Sequence, residues 1–256
     1  MDPSPTSSGL EAGLHALVLA LKARDEFTWR HSMRVADLAG LLAFGLGWPV
    51  ERVWLLHNAG LLHDIGKIAL PDRLLKSRGP LELTPNDREL LRAHPGDGAE
   101  IAAEVLSADQ LAWVRHHHER WDGLGYPHGL GGHTIPEGAR LLALAEAWDA
   151  MTAPLSRELQ LTHEDALADC WHEEGAQFAP DAVAALTRIS GGRDAPAKLA
   201  RPVTHHSHDR GDESRPSRRA DPGRSVRGSV CARRRVRECP AQELRRGLLR
   251  RRCDCQ

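Results

Sequence analysis

Apolar positions recur at intervals of three and four through most of the first 190 residues, which is the signature of amphipathic helices. Leu10, Leu14, Leu17, Val18 and Leu21 form one such stripe and predict a helix over 10–23. Val35, Leu38, Leu42 and Leu46 predict a second over 27–46, stopped by Gly47 and Pro49, and a third fits 50–63. Thr84-Pro85 supplies an N-cap and a proline at the first helical position before 86–93. Ser107 with Gln110 three residues on is a capping box, opening a helix that runs into His116–His118. The glycine-rich stretch 122–136 reads as a loop. Pro136 then opens 137–151, Thr162 caps 163–174 with Gly175 ending it, and Pro180 opens 181–189. Strand-type alternation and repeats of 20–50 residues are both absent, so the expected fold is all-α, a multi-helix bundle.

The pattern fails near residue 190. All seven tryptophans, all three phenylalanines and the one tyrosine precede residue 180, and the remainder is Arg-rich. Charge divides at the same place: residues 1–190 carry 16 Lys+Arg against 27 Asp+Glu, whereas 191–256 carry 18 against 8. The expected organisation is a flexible N-terminus (1–9), one folded domain (10–190) and a basic tail (191–256) too poor in apolar residues to offset its chain entropy. Polybasic sequence attracts phosphates nonspecifically, so nucleic acid is expected as a partner only in that sense. Out-of-frame reading of GC-rich DNA gives the same composition, and that alternative stays open. No apolar run approaches the roughly 18–20 residues that cross a bilayer, and Met1–Gly9 lacks signal-peptide features. Only Cys170 of the five cysteines lies before the tail, so no disulfide framework is expected and the setting reads as cytoplasmic.

Histidine carries the candidate chemistry: twelve of the fifteen precede residue 173. His63-Asp64-Ile65-Gly66-Lys67 closes an apolar helix, pairing a nitrogen ligand with a carboxylate able to bridge two cations. Its glycine is read as the turn that brings Lys67 to the same side. Taken singly, His31, His94, His117, His118 and Asp149 are ordinary caps and surface groups. Five His and two Asp at the ends or inner faces of successive helices instead suggest a site for Fe, Mn or Zn, and the lack of thiolates argues against structural zinc.

The runs His31-Ser32-Met33-Arg34-Val35, His63–Lys67, and His94-Pro95 with Gly98-Ala99-Glu100-Ile101 resemble the HD superfamily. His117-His118-Glu119-Arg120-Trp121-Asp122-Gly123-Leu124-Gly125-Tyr126-Pro127 is similar to the signature of its HD-GYP subfamily, the cyclic di-GMP phosphodiesterases. The resemblance covers about residues 10–190. It implies an HD-type bundle whose metal ligands project from successive helices, and hydrolysis of cyclic di-GMP to linear pGpG and on to GMP. Two divalent transition metals, Fe or Mn before Zn, would activate the attacking water. By the resemblance Asp64 bridges them, His31, His63 and Asp149 complete one side, and His94, His117 and His118 the other. Lys67 would act on the scissile phosphate, and Gly125, Tyr126 and Pro127 would line the guanine end. Phe27 stands where some members carry a third-metal Glu, so two metals are expected. His57, His116, His128 and His133 are expected to be surface residues. Ala179 stands where Asp is usual. Leu155-Ser156-Arg157-Glu158 stands where Arg-Pro-Tyr-Arg is usual, so substrate is expected to bind more weakly. Input would come from a sensory or GGDEF-type partner protein; the oligomeric state is undefined. A signalling module with lost hydrolysis, and a phosphohydrolase of another nucleotide, are the alternatives.

Overall fold

The computed structural model describes residues 7–75, 83–153 and 160–191. Leu155, Ser156, Arg157, Glu158 and the tail from 192 onward therefore lie outside the described residues. Among the described residues nine α-helices appear in order: α1 (Ser7–Arg24), α2 (Glu26–Gly45), α3 (Val50–Leu62), α4 (Asp72–Leu75), α5 (Pro85–Ile101), α6 (Ala108–Arg115), α7 (Glu137–Thr152), α8 (His163–His172) and α9 (Pro180–Ile189). A 3-10 turn, Ile65–Ala69, follows α3. Two isolated bridges, Asp122 with Gly131 and Glu174 with Phe178, are the only β-pairings among the described residues. No helix among them is long and apolar enough to cross a membrane.

Thr84 and Ser107 cap helices as read from the sequence, and Asp25 adds a cap at the start of α2 that the sequence reading did not name. Asp25 accepts the backbone N–H of Thr28 at 3.1 Å. The Ser107–Gln110 box is formed, with Ser107 N–H donating to Gln110 Oε1 at 2.9 Å. Thr84 forms a box with Asp87, whose carboxylate also takes the Arg73 guanidinium. Such caps satisfy N–H groups that the helix leaves without partners.

α2 is the central helix, packed against α1, α3, α7 and α9. Val35, Ala36, Ala39, Leu42 and Ala43 are fully buried on it, and Leu56 and Leu62 of α3 and Leu142, Leu144 and Ala145 of α7 join the same core. This packing brings the C-terminal end of α3, the N-terminal half of α2 and the C-terminal half of α7 to one region. α5 lies on the 3-10 turn and on α6, adding the middle of α5 around His94 and the C-terminal end of α6 to it.

α1 starts at Ser7, inside the segment expected to be flexible, α8 ends at His172 rather than 174, and two boundaries at the site also differ from the sequence reading. α6 stops at Arg115, and His116–His118 form a turn rather than more helix. α5 runs through Pro95 to Ile101 instead of ending at 93. Proline usually breaks a helix because it withholds an N–H from the carbonyl four residues back. Here that carbonyl, Leu91 O, accepts instead from His94 Nδ1 at 2.6 Å.

Candidate metal centre

The same device recurs at the C-terminal ends of α3 and α6 and in the middle of α5. His63 Nδ1 donates to Gly60 O (2.7 Å), His94 Nδ1 to Leu91 O (2.6 Å) and His117 Nδ1 to Val114 O (2.6 Å). A carbonyl can only accept, so in each ring the proton sits on Nδ1 and the Nε2 lone pair is free. His31 reaches the same state differently: its Nδ1 donates to Asp149 Oδ2 at 2.7 Å. Asp149 is held in turn by Arg34, whose Nε and Nη2 donate to its two oxygens at 2.5 and 2.9 Å.

The freed nitrogens converge on Asp64, which is fully buried. His94 Nε2 lies 3.2 Å from Asp64 Oδ1, and His63 Nε2 and His31 Nε2 lie 3.5 and 3.9 Å from Oδ2. Lys67 Nζ donates to Oδ2 at 2.8 Å. His94 and His117 face one another, Nε2 to Nε2, at 3.3 Å. The His118 ring lies 4.1 Å from that of His117 and 5.0 Å from that of His94, centroid to centroid.

A carboxylate that the sequence reading passed over completes the cluster. Glu146 stands one helical turn before Asp149 on the same face of α7, is buried, and has Oε2 3.6 Å from His118 Nδ1. Ligand atoms of His63, Asp64, His117 and Glu146 lie within 4.8 Å of one another, as do those of His94, His117 and His118.

The donor set fits cations. His31 Nε2, His63 Nε2, Asp64 Oδ1, His118 Nε2 and Glu146 Oε1 are all buried without a hydrogen-bond partner. An unsatisfied buried polar atom costs about 1–3 kcal/mol, and five in one small volume is a state that bound cations would relieve. Burial holds His63 down to about 4 and, with neighbouring imidazoles, holds His117 and His118 well below the usual histidine range. These rings are therefore neutral, as metal ligands must be. Burial alone would raise Asp64, but Lys67, His63 and His94 keep it well below the usual carboxylate range. Burial and the Asp64 charge push Glu146 up to about 7. Nitrogen and oxygen donors without sulfur suit Fe, Mn and Zn.

The glycine-rich loop folds over one side of this cluster. Tyr126 N–H donates to His118 O at 3.2 Å, and the Tyr126 ring stacks on the His118 ring at 4.7 Å and 22°. The Arg92 guanidinium lies 5.3 Å from the Tyr126 centroid. Gly125 packs so closely that a Cβ there would meet Arg120 N at 2.4 Å. Glu119 ties down the following segment, accepting His128 N–H at 2.8 Å and Leu130 N–H at 3.0 Å. The structure thus brings His31, His63, Asp64, Lys67, His94, His117, His118 and Asp149 into one connected cluster, with Gly125 and Tyr126 against its His118 edge and Pro127 exposed beside them.

Pro95 gives the first test. Pro95→Ala supplies a backbone N–H that competes with His94 Nδ1 for Leu91 O. The helix should hold or gain stability, while the His94 ring loses its fixed orientation. A partner behind a ligand histidine is worth about 10–100-fold in metal affinity, so binding of Mn2+ should weaken at least about tenfold. Unchanged affinity would show that the Leu91 contact does not orient the ring.

A family model described as HD domain matches residues 17–182 of the chain. The cyclic di-GMP phosphodiesterase response regulator RpfG of Xanthomonas campestris pv. campestris is 37% identical over 182 residues, covering 68% of this chain and 47% of the relative. A cyclic di-GMP phosphodiesterase of Thermotoga maritima is 34% identical over 181 residues, covering 69% and 48%. The chain thus spans about half the length of the curated relatives it matches. The solved structure of a cyclic GMP-AMP-specific phosphodiesterase from V. cholerae superposes with a TM-score of 0.54 at 19% identity, over 70% of this chain and 48% of that one. At that identity the likeness shows a shared fold.

Proposed function

The chain belongs to the HD domain family, and on that premise we propose that it is a metal-dependent phosphodiesterase that opens cyclic di-GMP to linear pGpG, with GMP as the product of a second cleavage. One observation carries the proposal: neutral, proton-free imidazole nitrogens and two carboxylates converge in a buried volume beside a charged lysine. The names of the relatives point to the same substrate class.

Divalent metals held by His31, His63, Asp64, His94, His117, His118 and Asp149, with Fe or Mn expected before Zn, would supply an activated water and neutralise phosphate charge. Asp64, surrounded by four of these rings, is suited to face two cations at once. Asp149 and Arg34 fix His31 so that its Nε2 stays directed at Asp64. Burial alone would lower the Lys67 pKa, yet the Asp64 and Glu146 charges hold it above the ordinary lysine value, so its ammonium stays charged. Phosphate arriving next to Asp64 would meet that ammonium as a hydrogen-bond donor whose benefit grows as negative charge accumulates on oxygen. Tyr126, backed by His118, offers a flat face to a guanine base at the loop side.

Lys67→Ala should therefore retain bound metal while kcat falls about 10²-fold, the usual loss when one donor to a developing oxyanion is removed. Loss of metal, or an unchanged kcat, would remove Lys67 from this role. The function itself is tested by chromatography of products from cyclic di-GMP incubated with the full chain and Mn2+. Appearance of pGpG is the expected result, and intact substrate under those conditions would overturn the proposal.

A further inference from the structure

His116 and His128, both expected from the sequence to be surface residues, meet at Glu119. The three residues each offer one ligand atom, and these atoms lie within 4.8 Å of one another. His116 Nδ1 is buried, has no hydrogen-bond partner, and stands 3.5 Å from Glu119 Oε1. The His116 and His128 rings are 5.1 Å apart, centroid to centroid, inclined at 50°. Each Glu119 oxygen accepts one backbone N–H, from His128 or Leu130, which leaves a further lone pair on each.

We propose that His116, Glu119 and His128 form a peripheral site for a divalent transition cation, separate from the buried centre. Two imidazole nitrogens and one carboxylate oxygen are borderline donors, a set that takes Zn2+ or another first-row cation in preference to Mg2+ or Ca2+. Three protein ligands are present among the described residues and His128 is exposed, so water completes the coordination and the ion exchanges readily. The position gives the ion a consequence. His116 follows α6 and His128 follows Tyr126-Pro127, so one ion binds both ends of the loop that lies against His118. Loading would stiffen that loop without occupying the buried centre.

The test uses the full chain with its buried centre first saturated with Mn2+, then titrated with Zn2+ against a chromogenic chelator. The same titration is run on His128→Ala and on His116→Ala. Wild-type protein should hold one more Zn2+ per chain than either variant, or hold it at least about tenfold more tightly. Zn2+ should also slow amide hydrogen exchange across residues 122–131 in the wild type and leave it unchanged in His128→Ala. His128 is exposed, so its variant keeps the fold, and an unaltered melting curve checks this. Equal Zn2+ stoichiometry and affinity in wild type and His128→Ala would overturn the site. Loss of the ion in only one of the two variants would overturn the three-residue assignment. Neither readout depends on cyclic di-GMP turnover, so this site and the proposed activity fail independently.

Discussion

Asp64→Ala should lose bound metal and lower phosphodiester hydrolysis at least about 10³-fold, which corresponds to about 4 kcal/mol of transition-state stabilisation. Among the described residues, Asp64 is the one group within ion-pair distance of His31, His63, Lys67 and His94 together. Removing it leaves the Lys67 ammonium without the carboxylate it donates to and takes away the carboxylate on which His31, His63 and His94 converge. The alanine variant does not serve alone, since leaving one partner of a buried ion pair destabilises a protein by about 3–5 kcal/mol. Asp64→Asn keeps the volume and one carbonyl oxygen while removing the charge, and should show the same losses in a protein that stays folded. Elemental analysis and product chromatography on both variants check the expectation. Full metal occupancy with wild-type turnover in Asp64→Asn would remove Asp64 from the centre.

Gly66→Ala should lower the melting temperature by about 10 °C and disturb the centre as well. A Cβ at Gly66 would lie 2.1 Å from His94 O and 2.7 Å from Gly98 N, both backbone atoms that no side-chain rotation can move away. The 3-10 turn and α5 would have to separate. Overpacking of this kind costs about 1–3 kcal/mol and more where backbone must shift, and each kcal/mol moves the midpoint of a domain this size by about 2–4 °C. The turn carries Lys67 and the helix carries His94, so metal affinity should fall along with stability. A midpoint within 2 °C of wild type, measured by calorimetry, would show that the two segments part at little cost.

Gly66 also shows where sequence reading reached its limit. The sequence suggested a glycine that lets the chain turn, but Gly66 does not have a positive φ; it permits the closest backbone approach between the 3-10 turn and α5. Residue type was legible and the reason for it was not, because close approach depends on a partner 28 positions away. The histidines were legible for the opposite reason. His63 and His117-His118 close helices, His94 stands beside a proline that the sequence marks, and His63-Asp64 and His117-His118 are unusual enough as neighbours to stand out. Glu146 was hidden because α7 buries Leu141, Leu142, Leu144 and Ala145 around it, leaving no polar stripe to set a functional carboxylate apart from a surface one. The extension of α5 was hidden because the rule for proline counts backbone partners, whereas Leu91 O found a side-chain partner in His94. The bundle itself followed from its 3–4 periodicity and caps, since α2, α6 and α9 each begin within one residue of the expected start or at it.

The central claim is that the converged nitrogens and carboxylates hold metal and that this metal is needed to cleave a cyclic dinucleotide. Its most direct test is turnover of cyclic di-GMP by the full chain, followed by chromatography after chelation and again after reconstitution with Mn2+ or Fe2+. Hydrolysis should cease on chelation and return on reconstitution. Hydrolysis that persists in chelated, metal-free protein would contradict the account.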